Sequence, residues 1–347
     1  MPDTSKHLYL LIPGFFGPQP GPDESEATAH AWPALETLLA RASAAHRTLP
    51  HGLEATLFAL FHADSSVEGD LPVAAVTRAL DTGVIDNGWW VRADPVHLRP
   101  ERDRLILADS HVLDLTQDEA SRLAAEIAKV YVEDGLILKA PRPGRWYLKP
   151  ARAPRISTTP LPEVVARDIH PYLPQGKDGK AWHTILNEVQ ILLHTAKVNE
   201  ERERRGKLPI NSLWFWGGGR LPKIKPVSWT QIWSEEPVSL ALARLTETSG
   251  RALPAGFEDW RRQADRAGEH LVVLDSLRAP FLYGDQEAWS AAMTRLERDW
   301  MAPLSIALRA ETLSSATLLT DAGRGFHLSP KAMRRWWRRR HPLASYA

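Results

Sequence analysis

The stretch 192–220, LLHTAKVNEERERRGKLPINSLWFWGGGR, holds the densest set of side chains able to meet a ligand. Asn199, Arg202 and Asn211 stand just ahead of a short apolar strand, 212–216, that ends in Gly217, Gly218, Gly219 and Arg220. Three glycines at the carboxyl end of a buried strand let backbone come close to a partner. In open α/β sheets, ligands bind at that end. Arginine there suits a phosphate or carboxylate, because its planar fork donates two parallel hydrogen bonds. Two further arginines fit the same chemistry. Arg92 follows the strand-like run Trp89-Trp90-Val91, and Arg145 stands beside Trp146 and Tyr147. For Arg92 the competing reading is an ion pair with Asp94, and for Arg145 it is a stack on tryptophan. Asp168-Ile169-His170-Pro171 puts a titratable pair on a loop, where a surface histidine is the plainer reading. The candidate anion contacts are therefore Arg92, Arg145, His170, Arg202 and Arg220. Asn199 and Asn211 are expected to orient the turn formed by Gly217, Gly218 and Gly219.

Other chemistries are harder to build. With no cysteine in 347 residues, disulfides, thiolate metal sites and a cysteine nucleophile are excluded. Thirteen histidines are present, but no HxH or HExxH pattern occurs, and His62, His97, His111 and His170 lack ligand spacing. Asp275, Asp285 and Asp321 fall near expected strand ends without forming a recognisable cluster. The net charge of +1 implies no bulk attraction to nucleic acid or membrane. The N-terminus lacks a signal-peptide pattern, and no apolar run approaches the ~20 residues needed to span a bilayer. A cytoplasmic protein is the expectation.

The elements that must position these residues alternate in type. Residues 7–13 read as a buried first strand, and 31–45, 53–61 and 73–80 as helices. A turn-rich region follows, with strands expected at 89–95, 105–108 and 112–115. Thr116 and Glu119 form a capping box that starts a helix. A hairpin is expected from 136–139 and 145–149, an extended proline-rich segment over 150–162, and one long helix over 182–203. From 213 onward the α/β pattern returns: strands at 213–216, 270–274 and 315–319, with helices at 237–246, 257–268 and 286–300. The end of the chain, KAMRRWWRRRH over 331–341, is basic and aromatic. It reads as a terminal helix that docks Trp336 and Trp337 and leaves its arginines wet, or as a binder of anionic membrane or nucleic acid.

The order of these segments resembles the archaeal-type cofactor-independent phosphoglycerate mutases of the alkaline-phosphatase superfamily. It resembles still more closely the RpfE-type regulatory proteins, a group similar to those mutases. The motif that carries the likeness is Val198-Asn199-x-x-Arg202-x-x-x-Gly206-x-x-Pro209-x-Asn211, followed by the glycine-rich strand end. The region 80–127 also falls in the family's order, and Asp168-Ile169-His170 stands where the family has Asp-Pro-His. The resemblance implies an outer domain with two metal ions and a nucleophilic serine, and an inserted domain that helps hold a phosphorylated acid.

The departures fall on the implied machinery. Where the family's first strand ends in a metal-binding aspartate, this chain has Ile12-Pro13-Gly14-Phe15. Gly52 replaces the serine, only Gly284-Asp285 survives of a metal-binding segment at 276–285, and the late Asp-His pair becomes Asp321-Ala322. A two-metal site lowers the pKa of its nucleophile and neutralises the transferring phosphoryl group, so it needs about half a dozen anionic or imidazole ligands.

The expectation is an α/β fold, an alkaline-phosphatase-like mixed sheet flanked by helices (1–80 plus 207–330). A smaller α+β domain is inserted (81–206), and a basic tail closes the chain (331–347). The protein is expected to be metal-free and catalytically degenerate, with no cofactor, catalytic residue or metal ligand. It would serve regulation by binding a small phosphorylated or carboxylated metabolite or a protein partner. An active mutase or phosphatase with relocated ligands is the first alternative. A regulator that binds nucleic acid or a membrane surface through the tail is the second.

Overall fold

A computed structural model describes residues 5–18, 32–45, 49–63 and 69–347. The chain divides into two compact units, Met1–Ala63 with Ile224–Ala347, and Asp64–Lys223. In chain order the larger unit begins with β1 (Lys6–Ile12) and β2 (Ser43–Ala44). The smaller unit contains β3 (Trp90–Glu101), β4 (Arg104–Ala108), β5 (Ile137–Arg142), β6 (Arg145–Lys149) and β7 (Ser212–Gly219). The larger unit resumes with β8 (Trp229–Trp233), β9 (Ser249–Arg251), β10 (Gly268–Val273), β11 (Ser315–Thr320) and β12 (Gly325–Leu328).

The larger sheet has the order β2-β12-β11-β1-β10-β8-β9. β1 lies parallel between β10 and β11, which explains its nearly continuous apolar sequence: a central parallel strand is covered on both faces. β8 and β9 extend the parallel part, whereas β12 and β2 add antiparallel strands, so the sheet is mixed. Leu8, Leu10 and Ile12 pack with Leu35 and Leu38 of the helix Pro33–Arg41, and with Trp289 and Met293 of the helix Gln286–Leu296. This is the expected mixed sheet flanked by helices. Among the described residues, no helix is long and apolar enough to cross a membrane.

The smaller sheet is built on β3, whose first half pairs with β6 and β7 and whose second half pairs with β4. Helices Gln117–Val130 and Gly179–His194 cover it through Leu123, Ile127, Trp182 and Leu186. The capping box of Thr116 and Glu119 forms as expected.

Four expectations are corrected. The strand at 213–216 belongs to the smaller sheet, because it hydrogen-bonds to β3 across Trp90–Val96. The helix Val73–Thr82 also lies in that unit, so the units divide at 63/64 and 223/224 instead of 80/81 and 206/207. Residues 112–115 form no strand. Asp109 caps a single helical turn, Ser110–Leu113, by accepting from the His111 amide, and Asp114 at φ 44° ends it. The long helix breaks into Gly179–His194 and Lys197–Arg204 at an extended Ala196, where Asn199 Nδ2 takes the Leu193 carbonyl.

The C-terminal segment reverses the expected docking. Arg335 donates to the Arg41 carbonyl (3.1 Å) and Arg338 to that of Ala42 (2.8 Å), satisfying orphan acceptors at the end of the helix Pro33–Arg41. Trp336 and Trp337 instead stand in solvent.

A buried ionic knot ties the helix Val73–Thr82 to the hairpin of β5 and β6. Asp81 accepts from Arg145 Nε (2.8 Å), Arg145 Nη2 (2.6 Å) and the Tyr147 hydroxyl (2.6 Å). Burial alone would raise the Asp81 pKa, but these hydrogen bonds, with the charges of Arg145 and Arg92, hold it below the ordinary carboxylate range. A depressed folded-state pKa stabilises above the unfolded value, and that stabilisation is lost as pH falls through the acid range. Asp81→Asn should cost on the order of 2 kcal/mol at pH 7. Its gap to the parent protein should narrow as pH falls through and below the ordinary carboxylate range, as read by urea unfolding.

Candidate functional site

Parallel strands β1, β8, β10 and β11 deliver their carboxyl ends to one edge of the larger sheet. Gly14, just past β1, donates its amide to Asp321, just past β11, at 3.1 and 3.2 Å to the two carboxylate oxygens. The Gly52 amide donates to the Asp321 carbonyl (2.7 Å), fixing the start of the helix Leu53–Leu60. Past β8, the Glu236 carboxylate caps the helix Pro237–Leu245 by accepting from the amides of Val238 (2.9 Å) and Ser239 (2.6 Å). Arg278, at the start of the helix Arg278–Tyr283 after β10, donates to Glu54 at 2.5 Å.

These charges act on one another. Burial works to discharge Arg278, but Glu54 foremost, then Glu236 and Asp321, hold its proton and raise its pKa. Burial raises the Glu236 pKa, offset only in part by the amides of Ser239 and Val238 and by Arg278. It also raises that of Asp321, offset in part by the Gly14 amide and Arg278. One guanidinium thus pairs with Glu54 and lies in the field of Glu236 and Asp321.

A pair of divalent ions does not fit this donor set. Glu236 is committed to its helix cap, Asp321 to Gly14, and Glu54 to Arg278. Among the described residues, no group of three or more His, Asp or Glu could hold a metal ion. Gly52, which the resemblance sets where those mutases have a serine, carries no hydroxyl and sits at φ 91°, a conformation that disfavours any L side chain.

The ten residues singled out from the sequence all lie in the smaller unit, and most of them hold the fold. Arg92 pairs bidentately with Asp94 at 2.9 and 2.8 Å and lies 5.2 Å from the Trp216 ring, so the ion-pair reading is the observed one. Asp94 also accepts from Trp216 Nε1 and the Trp146 amide; burial nonetheless raises its pKa. Arg145 serves Asp81 instead of stacking on Trp146, and keeps part of its side chain exposed. Arg202 is fully buried, donating to Glu119 (2.8 Å) and to the carbonyls of Leu208 (2.9 Å) and Leu113 (2.5 Å). Its side chain is closed off from solvent, with Glu119 as its internal anion. Asn199 clasps Ile210 from both sides, and Asn211 exchanges two hydrogen bonds with the Leu98 backbone. His170 is exposed and pairs with Asp168 at 2.8 Å. Arg220 is exposed and donates to the Asn87 carbonyl.

The three glycines have protein against them. A Cβ on Gly218 would lie 2.5 Å from Trp89, and one on Gly219 would lie 2.6 Å from Pro72. Gly217, at φ 64°, faces Val73 at 3.0 Å. Here β7 slips register against β3, with Trp90 opposite Gly219 and Arg92 opposite Trp216. The close approach expected for a ligand is taken by a β-bulge and by the chain entering and beginning the helix Val73–Thr82.

No protein-family profile matches the chain. It is 38% identical over 68 residues to the 2,3-bisphosphoglycerate-independent phosphoglycerate mutase of Methanosarcina barkeri, covering 20% of this chain and 17% of that enzyme. It is 26% identical over 158 residues to the probable enzyme of the same name from Geobacter sulfurreducens, covering 45% of this chain and 39% of the relative. The alignments thus span well under half the length of these curated relatives. Among solved structures, the PH0037 protein from Pyrococcus horikoshii superposes with a TM-score of 0.51 at 12% identity, covering 94% of this chain and 87% of that one. That likeness is one of fold.

Arg278, Glu54 and Glu236 are the residues that sequence reasoning missed. The signals were present: a carboxylate inside the apolar run LEATLFAL, an arginine inside SLRAPFLYGD, and an acidic residue directly before Pro237. Arg278→Ala should lower stability by about 3–5 kcal/mol by leaving Glu54 buried without its cation. Adding Glu54→Gln should return part of that loss, and a double-mutant cycle in urea would measure the coupling.

Proposed function

We propose that this chain is a metal-free, catalytically degenerate relative of the cofactor-independent phosphoglycerate mutases, acting in regulation as the RpfE-type resemblance implies. It would bind a small phosphorylated or carboxylated metabolite, or present its surface to a protein partner, without turning substrate over. The observation that carries the reading is Arg278 seated among Glu54, Glu236 and Asp321 at the strand ends. A fixed guanidinium supplies positive charge there, but it cannot activate a water or a hydroxyl as a metal does. Gly52 stands where the resemblance implies a nucleophilic serine. Of the candidate anion contacts, Arg220 and His170 keep exposed side chains, and Arg145 is partly exposed.

The test is elemental analysis of the purified protein, with mutase and phosphatase assays on 3-phosphoglycerate in the presence of manganese. We expect no stoichiometric metal and no turnover. Bound metal together with turnover would overturn the reading in favour of relocated ligands. If 3-phosphoglycerate binds in calorimetry, Arg220→Ala should weaken it about tenfold. Absence of both turnover and binding would leave the partner-presenting form of the proposal.

A further inference from the structure

The C-terminal segment presents a surface that the proposed function does not use. Two buried anchors fix its ends. Met333 closes the helix Pro330–Met333, and Leu343 opens the short 3-10 turn Leu343–Tyr346, both within the larger core. Between them, Arg335 and Arg338 are fastened to the carbonyls of Arg41 and Ala42. Arg41 returns a hydrogen bond to the Met333 carbonyl at 2.8 Å. The segment is therefore held by its backbone and by two arginine forks, and the intervening indoles are pushed outward.

Trp336 is 80% exposed and Trp337 is 64% exposed. Their rings meet edge to face, with centroids 6.2 Å apart and an interplanar angle of 84°. Arg339 and Arg340 are exposed and line one groove with Trp336, Lys331 is exposed earlier in the segment, and Arg339 and Arg340 have no ion-pair partner among the described residues. A groove of about 570 Å³ beside Trp336 is lined by Arg41, Arg338, Arg339, Arg340 and His341, with Glu36 as its one carboxylate. Two exposed indoles beside unpaired guanidinium groups match an interface that is apolar below and anionic above.

We propose that this segment docks the protein on the surface of an anionic phospholipid bilayer. Trp336 and Trp337 would enter the headgroup layer, where an indole buries its rings and keeps its N–H hydrated. Lys331, Arg339 and Arg340 would lie against lipid phosphates and carboxylates. Charge complementarity favours this occupant. Single-stranded nucleic acid would want parallel aromatic platforms for successive bases, whereas these two rings are nearly perpendicular.

The test is cosedimentation of the full chain with vesicles of phosphatidylcholine and phosphatidylserine at about three to one, beside vesicles of phosphatidylcholine alone. The parent chain should bind the mixed vesicles, bind the neutral ones weakly, and lose affinity as salt rises. Trp336→Ala with Trp337→Ala, and separately Arg339→Glu with Arg340→Glu, should each weaken partitioning about tenfold or more. Both pairs are exposed, so the variants should keep the parent's circular dichroism and thermal midpoint. Failure of the parent chain to bind the mixed vesicles, or equal binding by the folded variants, would overturn the proposal. So would tighter, tryptophan-dependent binding to an oligothymidylate strand than to the vesicles. None of these outcomes depends on the metal and turnover assays.

Discussion

Taking a guanidinium out of water costs several kcal/mol unless carboxylates and carbonyls replace its hydration, and removing either partner afterwards strands a buried charge. Arg278 meets that condition at the carboxyl edge of the larger sheet. Its helix follows β10, Glu54 belongs to the helix begun by Gly52, Glu236 caps the helix after β8, and Asp321 follows β11. The Arg278–Glu54 pair joins two helices distant in sequence. The same condition orders the smaller unit twice, through Arg92 with Asp94 and through Arg202 with Glu119. In each case the arginine that could have met a ligand is consumed by the fold.

The motif at 198–211 is bound into the scaffold in the same way. Asn199 holds the Leu193 and Ile210 carbonyls and receives the Ile210 amide, while Arg202 ties the same return path to Leu208, Leu113 and Glu119. Gly206, at φ 70°, ends the helix Lys197–Arg204 in the left-handed conformation that glycine tolerates best. Together they set the entry of β7 into its sheet.

Much of the fold was legible because its signals are local. β1 shows an unbroken apolar run, Thr116 and Glu119 a reciprocal cap, and the hairpin of β5 and β6 a Pro-Gly turn. What was not legible was set by partners far away in sequence. Whether β7 joins the larger or the smaller sheet depends on its pairing with β3, more than 100 residues earlier, and no local pattern encodes that choice. The glycines were correctly read as a close approach, but the approaching group is Trp89 and Pro72. Apolar Val112 and Leu113 suggested a strand until Asp109 capped a turn around them. Residue type announced that something must be near; only tertiary structure decided what.

The site follows the same division. Arg92 and Arg202 were chosen as ligand contacts because a phosphate and an internal carboxylate ask the same thing of a guanidinium: two parallel acceptors. Sequence spacing cannot separate those partners, but burial can. An arginine whose donors are spent on Asp94 or Glu119 has already met its anion. The C-terminal segment shows the complementary case. Its arginines at 335 and 338 are spent on helix-end carbonyls, and those at 339 and 340 are not. A cation that the fold leaves unpaired beside exposed indoles is therefore a better guide to an outside partner than one placed by motif at the end of a strand.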